Sequence, residues 1–237
     1  MHKVSIPEEI LARSAALRGG RDVVFDRIDP ARTAHVVVDL QNGFMREGAP
    51  VEVVAAREIV DDVNRITAAL RAAGGTIVYL RYTYDANEPN PWGNWYSSLL
   101  EEGASDILKA AFTPGAHDHE LWDGLDVQPG DLIVDKTRFS AFTPGTCALH
   151  SILQAKGIDT LIITGTLTNC CSESTARDGN QLNYKVIFVT DGNATHTDWE
   201  HNATLCNMAA IFADLQSTDR LLQTIAESAP QAQAAAE

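Results

Sequence analysis

Short apolar runs of strand length alternate with segments of helical periodicity along most of this chain, and this alternation constrains the fold more than any other feature. Residues 34–39 include three consecutive valines, which is typical of a strand buried on both faces of a sheet. Between residues 53 and 73 apolar side chains recur at near-helical spacing, and the segment ends at Gly74-Gly75, as a helix C-cap does. Residues 76–82 supply the next strand. The order strand, helix, strand predicts a βαβ unit.

The same alternation continues to the end of the chain. Further strands are predicted at residues 131–135, 160–164 and 185–190, with helices at 147–156, from about Cys171, and at 199–215. Five strands that alternate with helices predict an α/β fold with a doubly wound, mostly parallel sheet.

The division into segments follows from composition. The 237 residues are 45% hydrophobic and contain no long low-complexity tract, so residues 32–228 are expected to form one domain with a full core. Residues 1–31 are interpreted as an amphipathic arm with a short helix after Pro7, of the kind that often packs on a neighbouring subunit. Residues 229–237, mostly Ala and Gln, are predicted to be a disordered tail.

Charge and cysteine content exclude several classes of function. A net charge of -14 and a pI near 4.8 argue against nucleic acid and anionic membranes as partners. The sequence shows no apolar run of about 20 residues and no signal peptide, so a cytoplasmic location is expected. The four cysteines are expected to be reduced thiols, and the lack of a C-x-x-C pair makes structural zinc improbable.

The stretch from residue 83 to about 119 lacks a regular pattern. It is rich in Pro, Gly, Asn and aromatic residues, and a long loop in a compact domain is usually functional or disordered. The aromatic residues argue against disorder. We interpret the stretch as a lid or pocket wall, with aromatics that cover a core edge as an equally acceptable reading of each Trp.

Three side chains capable of chemistry follow predicted strands. Asp39 ends the first strand, Lys136 follows the third, and Cys171 follows the fourth after a Gly/Thr/Asn turn. Ligands of such sheets bind beyond the carboxyl ends of the strands, so all three are expected at one rim. A cysteine at the start of a helix has its thiolate favoured by the helix amides. The competing readings are a small buried hydrophobe for the cysteine and a structural loop cap for the aspartate.

With these residues in place, the chain resembles the isochorismatase-like cysteine hydrolases over residues 34–215. The resemblance rests on four motifs in this order: Val38-Asp-Leu-Gln-Asn-Gly-Phe44, Val134-Asp-Lys-Thr-Arg-Phe-Ser-Ala-Phe142, Gly165-Thr-Leu-Thr-Asn-Cys-Cys-Ser-Glu-Ser-Thr-Ala-Arg-Asp-Gly179 and Val189-Thr-Asp-Gly-Asn-Ala-Thr195. The second and third are similar to those of ureidoacrylate amidohydrolases and neighbouring ureide hydrolases. The resemblance implies a three-layer α/β/α sheet and an Asp39, Lys136, Cys171 triad. It further implies an oxyanion hole of the Leu167 and Cys171 backbone NH groups, in a turn with a cis peptide at Thr166-Leu167.

The residues suit amide hydrolysis through a covalent intermediate. Asp39 would accept the thiol proton, Lys136 would hold Asp39 ionised, and Cys171 would attack a carbonyl to form a thioester. The predicted function is hydrolysis of a linear amide or ureido (carbamoyl) bond in a small molecule, with release of ammonia or carbamate. The candidate substrate contacts are Phe44, Asn42, Tyr82, Trp92, Trp95, Phe139, Phe142 and Asn169.

No metal or cofactor is expected. Nicotinamidase relatives carry metal-binding histidines near the positions of residues 82–95, where this chain has none, and His117 and His119 are expected to face solvent. The alternative functions are a non-hydrolytic binding protein on the same fold, or a thiol redox module that uses Cys170-Cys171, although adjacent cysteines are not the redox C-x-x-C pattern. The N-terminal arm and the family habit predict a homo-oligomer.

Overall fold

A six-stranded parallel sheet forms the centre of the computed structural model, which describes residues 1–229. Its strands are β1 (Thr33–Val38), β2 (Thr76–Tyr82), β3 (Leu132–Lys136), β4 (Thr160–Thr166), β5 (Lys185–Ala194) and β6 (Asp214–Gln216). They are arranged in the order β3-β2-β1-β4-β5-β6, and every neighbouring pair is parallel. The predicted doubly wound parallel α/β class is confirmed.

Helices cover both faces of the sheet. They are α1 (Glu8–Leu17), α2 (Asn42–Met45), α3 (Val60–Ala72), α4 (Glu102–Ala111), α5 (Leu149–Ala155), α6 (Glu173–Gln181), α7 (Asp198–Asn207) and α8 (Thr218–Ser228). Wider π-helical turns lie at Trp95–Leu99, Thr168–Ser172 and Met208–Phe212, and short 3-10 turns at Pro30–Arg32, Val54–Ile59 and His117–His119.

The alternation of side chains along the buried strands creates two separate cores. Val37 faces the core that α3 and α8 complete, whereas Val36 and Val38 face the core that α5, α6 and α7 complete. Both sides of β1 are therefore shielded from water, which explains its run of three valines. This is the expected three-layer α/β/α arrangement.

The C-terminal part of the sheet differs from the sequence prediction. Residues 199–215 were expected to form one helix, but α7 continues only into the π-helical turn, and residues 214–216 form a sixth strand. The buried Asp214 carboxylate accepts the backbone NH groups of Val24 and Phe25, at 3.0 Å each. The prediction of five strands was wrong because a three-residue edge strand leaves no periodic signal, and these contacts come from residues distant in sequence.

The N-terminal arm packs on its own chain. Helix α1 contacts the turn Met208–Phe212, where Ser14 Oγ donates to Ala209 O at 2.7 Å. Arg18 donates to the carbonyls of Ala209 and Ala213. The predicted tail begins at Ala229, and its residues 230–237 lie outside the described part of the chain.

Close contact between β1 and β4 places the functional rim. Gly165 has φ +121°, and a Cβ there would lie 2.1 Å from Val38 O, far inside van der Waals contact. Only glycine allows the two strand ends to approach so closely. Across residues 1–229, no helix is long and apolar enough to cross a membrane.

Candidate functional site

The ends of β1, β3 and β4 bring the three predicted catalytic side chains together. Asp39 directly follows β1, Lys136 is the last residue of β3, and Cys171 lies in the π-helical turn after β4. Asp39 has φ 51°, in the left-handed region where aspartate is tolerated better than most residues. Its NH still bonds Leu80 O at 3.2 Å, so the chain turns sharply while it stays attached to the sheet.

Asp39 and Lys136 form a buried ion pair. Lys136 Nζ lies 2.7 Å from Asp39 Oδ2, and both side chains are 0% exposed. The ammonium also donates to Arg138 O at 3.0 Å and lies 5.3 Å from the centre of the Tyr82 ring. A charge without water depends on its partner, so each of the two ions requires the other.

The pKa values of both members of the pair are shifted upwards. Burial raises the pKa of the Asp39 carboxyl, while Lys136 and a hydrogen bond from Cys171 oppose the rise. Burial by itself would lower the pKa of Lys136, but the charge of Asp39, with that of Cys171 once it ionises, outweighs it and raises the pKa. Lys136 therefore stays cationic beside a carboxylate that takes up a proton more readily than an exposed aspartate.

Cys171 carries a thiol rather than a preformed thiolate. A hydrogen bond with Cys170 and burial raise the pKa of Cys171 well above its ordinary value, and Lys136 only partly offsets them. Cys171 does lie at the start of a helical segment, since its π-helical turn continues directly into α6 at Glu173. The expectation that this position favours the thiolate was wrong, because the contact with Cys170 and burial have the larger effect on the pKa. The sulfur therefore needs a proton acceptor, and Asp39 is next to it.

The turn between β4 and Cys171 is anchored at three points. It contains the cis peptide bond expected at Thr166-Leu167. Thr166 Oγ1 donates to Ala194 O at 3.1 Å, and Thr195 Oγ1 donates to Asn169 Oδ1 at 2.7 Å. His201 Nδ1 lies 3.0 Å from Thr168 Oγ1. Contacts from β5 and α7 thus hold the backbone that carries the Leu167 and Cys171 amides.

A cavity of about 290 Å³ opens onto Cys171. Five of the predicted substrate contacts line it: Phe44, Tyr82, Trp95, Phe139 and Asn169. The Tyr82 hydroxyl meets the Tyr96 hydroxyl, which turns the polar end of this side chain towards the loop.

Three other predicted contacts are not on this cavity. The amide of Asn42 donates to His117 O at 2.9 Å and so holds a loop. Trp92 stacks on Trp95 at 5.5 Å and lines a neighbouring cavity instead. Phe142 packs on Tyr184 at 5.6 Å in the second core. Asn42 and Phe142 were marked by their motifs and Trp92 by the aromatic loop, but the direction of each side chain depends on the tertiary packing.

Trp92, Trp95 and Phe139 form an aromatic wall between the two cavities. The rings of Trp92 and Trp95 meet the Phe139 ring edge-on at 4.7 and 5.1 Å. The long aromatic loop of the sequence therefore does supply a pocket wall.

The remaining lining residues were not predicted as substrate contacts. They are Val51, Leu108, Phe112, Leu167, Cys170, His196 and Glu200. Leu167 was expected to supply an oxyanion-hole NH instead, and it lies with Cys170 in the third motif. The other sequence signals are the aromatic stretch that includes Phe112 and the segment His196–Glu200 directly after the motif that ends at Thr195. Gln41, another residue of the first motif, accepts the Tyr82 NH at 2.7 Å and donates to Tyr82 O and His119 O, so it joins two loops of the rim.

The two histidines of the later loop differ from each other. His117 is 73% exposed, as expected, but His119 is 1% exposed and its Nε2 lies 2.8 Å from Thr83 Oγ1. The expectation that His119 faces solvent was wrong, because the loop folds back under Gln41. Within residues 1–229, no three His, Cys, Asp or Glu side chains are grouped as a metal site would require, and all four cysteines are free thiols.

Comparison with known proteins gives a consistent result. The model of the isochorismatase domain matches residues 33–220. The ureidoacrylate amidohydrolase RutB of Caulobacter vibrioides is 32% identical over 218 residues, which cover 86% of this chain and 95% of that protein. RutB of Yersinia enterocolitica is 33% identical and covers the same share of this chain and 93% of its own.

Solved structures show the same similarity in three dimensions. A cysteine hydrolase from Pseudomonas syringae pv. phaseolicola superposes with a TM-score of 0.76 at 29% identity, over 87% of this chain and 97% of that one.

Proposed function

This chain belongs to the isochorismatase family, and from that premise we propose that it is a cysteine-dependent amidohydrolase that cleaves a carbon-nitrogen bond other than a peptide bond. Its substrate is a small molecule with a linear amide or ureido group, in keeping with the amidohydrolase names of its relatives. The observation that carries this proposal is the position of Cys171, on a cavity wall and beside the buried Asp39–Lys136 pair.

The reaction begins with proton transfer. Asp39 takes the proton from the Cys171 thiol as the sulfur forms its bond to the substrate carbonyl carbon, and Lys136 keeps Asp39 ionised until then. Burial raises the pKa of the Asp39 carboxyl, so Asp39 is a stronger base towards the thiol proton than an exposed aspartate.

The tetrahedral intermediate requires donors for its negative oxygen. We assign these to the backbone NH groups of Leu167 and Cys171, since both residues line the cavity and belong to the anchored turn. Preorganised donors of this kind typically contribute a factor of about 10² to 10³ in kcat each.

Collapse of the intermediate breaks the carbon-nitrogen bond. Asp39 returns its proton to the departing nitrogen, and ammonia or an amine leaves while the acyl group stays on sulfur as a thioester. Asp39 then removes a proton from water, which attacks the thioester and frees the Cys171 thiol. A linear amide yields ammonia and a carboxylate, and a ureide that loses its amine yields carbamate.

The decisive experiment follows ammonia and amine release from a panel of linear amides, ureides and N-carbamoyl compounds. Cys171→Ala should abolish turnover of every active compound, whereas Cys206→Ala, a cysteine on α7 away from the cavity lining, should leave it intact. Acyl-enzyme on the Cys171 peptide should appear by mass spectrometry after rapid acid quench. Full activity in Cys171→Ala would exclude the mechanism.

The homo-oligomer, the cytoplasmic location and the domain limits at residues 31 and 228 stay predictions from the sequence. Sedimentation at micromolar concentration tests the first, and a monomer would contradict it.

A further inference from the structure

The cavity next to Cys171 has mostly apolar walls. Aromatic rings and the aliphatic side chains of Val51, Leu108 and Leu167 make up most of its lining. In the described part of the chain, residues 1–229, no lysine or arginine lines it. A carboxylate group of a ligand would therefore lose its water without gaining a lysine or arginine partner.

The nearby cations are engaged elsewhere. Lys136 is 0% exposed and paired with Asp39. Arg138 and Lys109 line the neighbouring cavity, on the other side of the aromatic wall. The Arg138 guanidinium lies 5.1 Å from the centre of the Trp92 ring and donates to Thr137 O and Asn90 O, so it is held away from Cys171.

The charged group at the cavity itself is acidic. Glu200 lines the cavity beside His196 and Asn169, and its carboxylate accepts only one neutral donor in the described structure, the Thr197 hydroxyl at 2.7 Å. The chain as a whole carries a net charge of -14. Both the local and the overall field therefore oppose the entry of an anion.

We propose that this site selects amides or ureides in which the group beside the scissile bond is largely apolar and either uncharged or cationic. The site discriminates against substrates in which this group carries a carboxylate. This specificity rests on the proposed function, and it separates the chain from relatives named for ureidoacrylate, which is a carboxylate. The volume of about 290 Å³ equals that of roughly ten water molecules at about 30 Å³ each, which suits a compact substituent such as one aromatic ring.

A first test does not depend on turnover. Iodoacetamide and iodoacetate alkylate the same thiolate and differ in one charge. The rate at which each reagent alkylates Cys171 in the folded protein is followed on the digested Cys171 peptide and divided by its rate with glutathione. The ratio of these two normalised rates reports the selectivity of the cavity. We expect a normalised preference of about tenfold for iodoacetamide. A preference below about threefold overturns the proposal.

Glu200 supplies the matched variants for this measurement. Glu200→Gln should reduce the preference, and Glu200→Lys should bring it to about one or reverse it, while Glu9→Gln on the exposed face of α1 should leave it unchanged. Equal preferences in the wild type, Glu200→Gln and Glu200→Lys would show that Glu200 does not set the selectivity and would overturn its role.

A second test uses substrates. Phenethylurea and N-carbamoylphenylalanine differ by one carboxylate, and kcat/KM should favour the neutral compound by about tenfold or more. Cys171-dependent hydrolysis that prefers the carboxylate would overturn the specificity while the proposed function stands. A lack of Cys171-dependent hydrolysis with these two compounds and with the whole panel of amides and ureides would instead contradict the proposed function, and the alkylation ratio would still decide the specificity.

Discussion

Removal of Lys136 by the substitution Lys136→Met tests the electrostatic logic of the site most directly. Methionine keeps most of the side-chain volume but leaves the Asp39 carboxylate without its cation in a position that water does not reach. Removal of one partner from a buried pair typically costs about 3 to 5 kcal/mol.

The structure sets an upper limit to this electrostatic cost, because Asp39 can escape it by protonation. For a carboxyl with an ordinary pKa of about 3.9, protonation at pH 7 costs about 4 kcal/mol, and at pH 5 only about 1.5 kcal/mol. Burial already raises the pKa of Asp39 in the folded protein, and loss of the cation raises it further. A carboxyl whose folded pKa exceeds its unfolded pKa stabilises the fold at low pH, and this stability is lost as pH rises. The destabilisation should therefore shrink by up to about 1.4 kcal/mol per pH unit between pH 7 and pH 5.

The double variant Asp39→Asn/Lys136→Met separates stability from catalysis. Since it removes both charges, it should be more stable at pH 7 than Lys136→Met, with a coupling energy of about 3 kcal/mol in the double-mutant cycle. It should nevertheless remain inactive, because no group is left to accept the Cys171 proton.

The assay is urea denaturation at pH 5, 6 and 7, with activity measured on the same samples. A Lys136→Met protein as stable as the wild type at pH 7, or a destabilisation that does not change with pH, would refute the reasoning. So would additive effects in the cycle, since they would mean that the two charges do not interact.

Three further predictions address other parts of the site and its support. Gly165→Ala should lose at least about 3 kcal/mol in urea denaturation, since its Cβ would enter the backbone of Val38 at a positive φ; a stable variant would mean that the strand ends can separate. Burial lowers the pKa of His35 to about 3, so the stability that its neutral form provides is complete above the unfolded pKa and is lost as pH falls. From pH 6 to 4 the free energy of unfolding of the wild type should fall by up to about 1.4 kcal/mol per pH unit more than that of His35→Gln. Identical slopes for the two proteins would contradict this. Asp39→Asn should abolish hydrolysis and yet lower the midpoint pH of Cys171 alkylation by about one unit, because the Asp39 carboxylate raises and Lys136 lowers the pKa of that thiol. A higher midpoint in Asp39→Asn would mean that Asp39 does not contact the sulfur.

Much of the fold could be predicted from the chain alone, because β1, β2 and β4 are buried on both faces and have the composition that such burial requires. The rim position of Asp39, Lys136 and Cys171 follows from the same rule, since parallel strands present their carboxyl ends at one edge of the sheet. The short β6 could not be predicted in this way. It forms at the edge of the sheet, next to residues of the N-terminal arm, and these contacts join parts of the chain separated by about 190 residues.

The sequence by itself determined which reactive groups this protein has and at which edge of the sheet they meet, because strand periodicity is a local consequence of composition and parallel strands present their carboxyl ends at one edge. Only the tertiary structure decided how those groups behave. Burial raises the pKa of the Asp39 carboxyl, and the contact with Cys170 together with burial raises the pKa of Cys171. Packing turns Trp92 and Phe142 away from the cavity and brings Glu200 to it. The pKa values depend on how far each group is buried, and the charge of the cavity depends on which side chains lie near it. Both are defined only once distant segments of the chain have packed together.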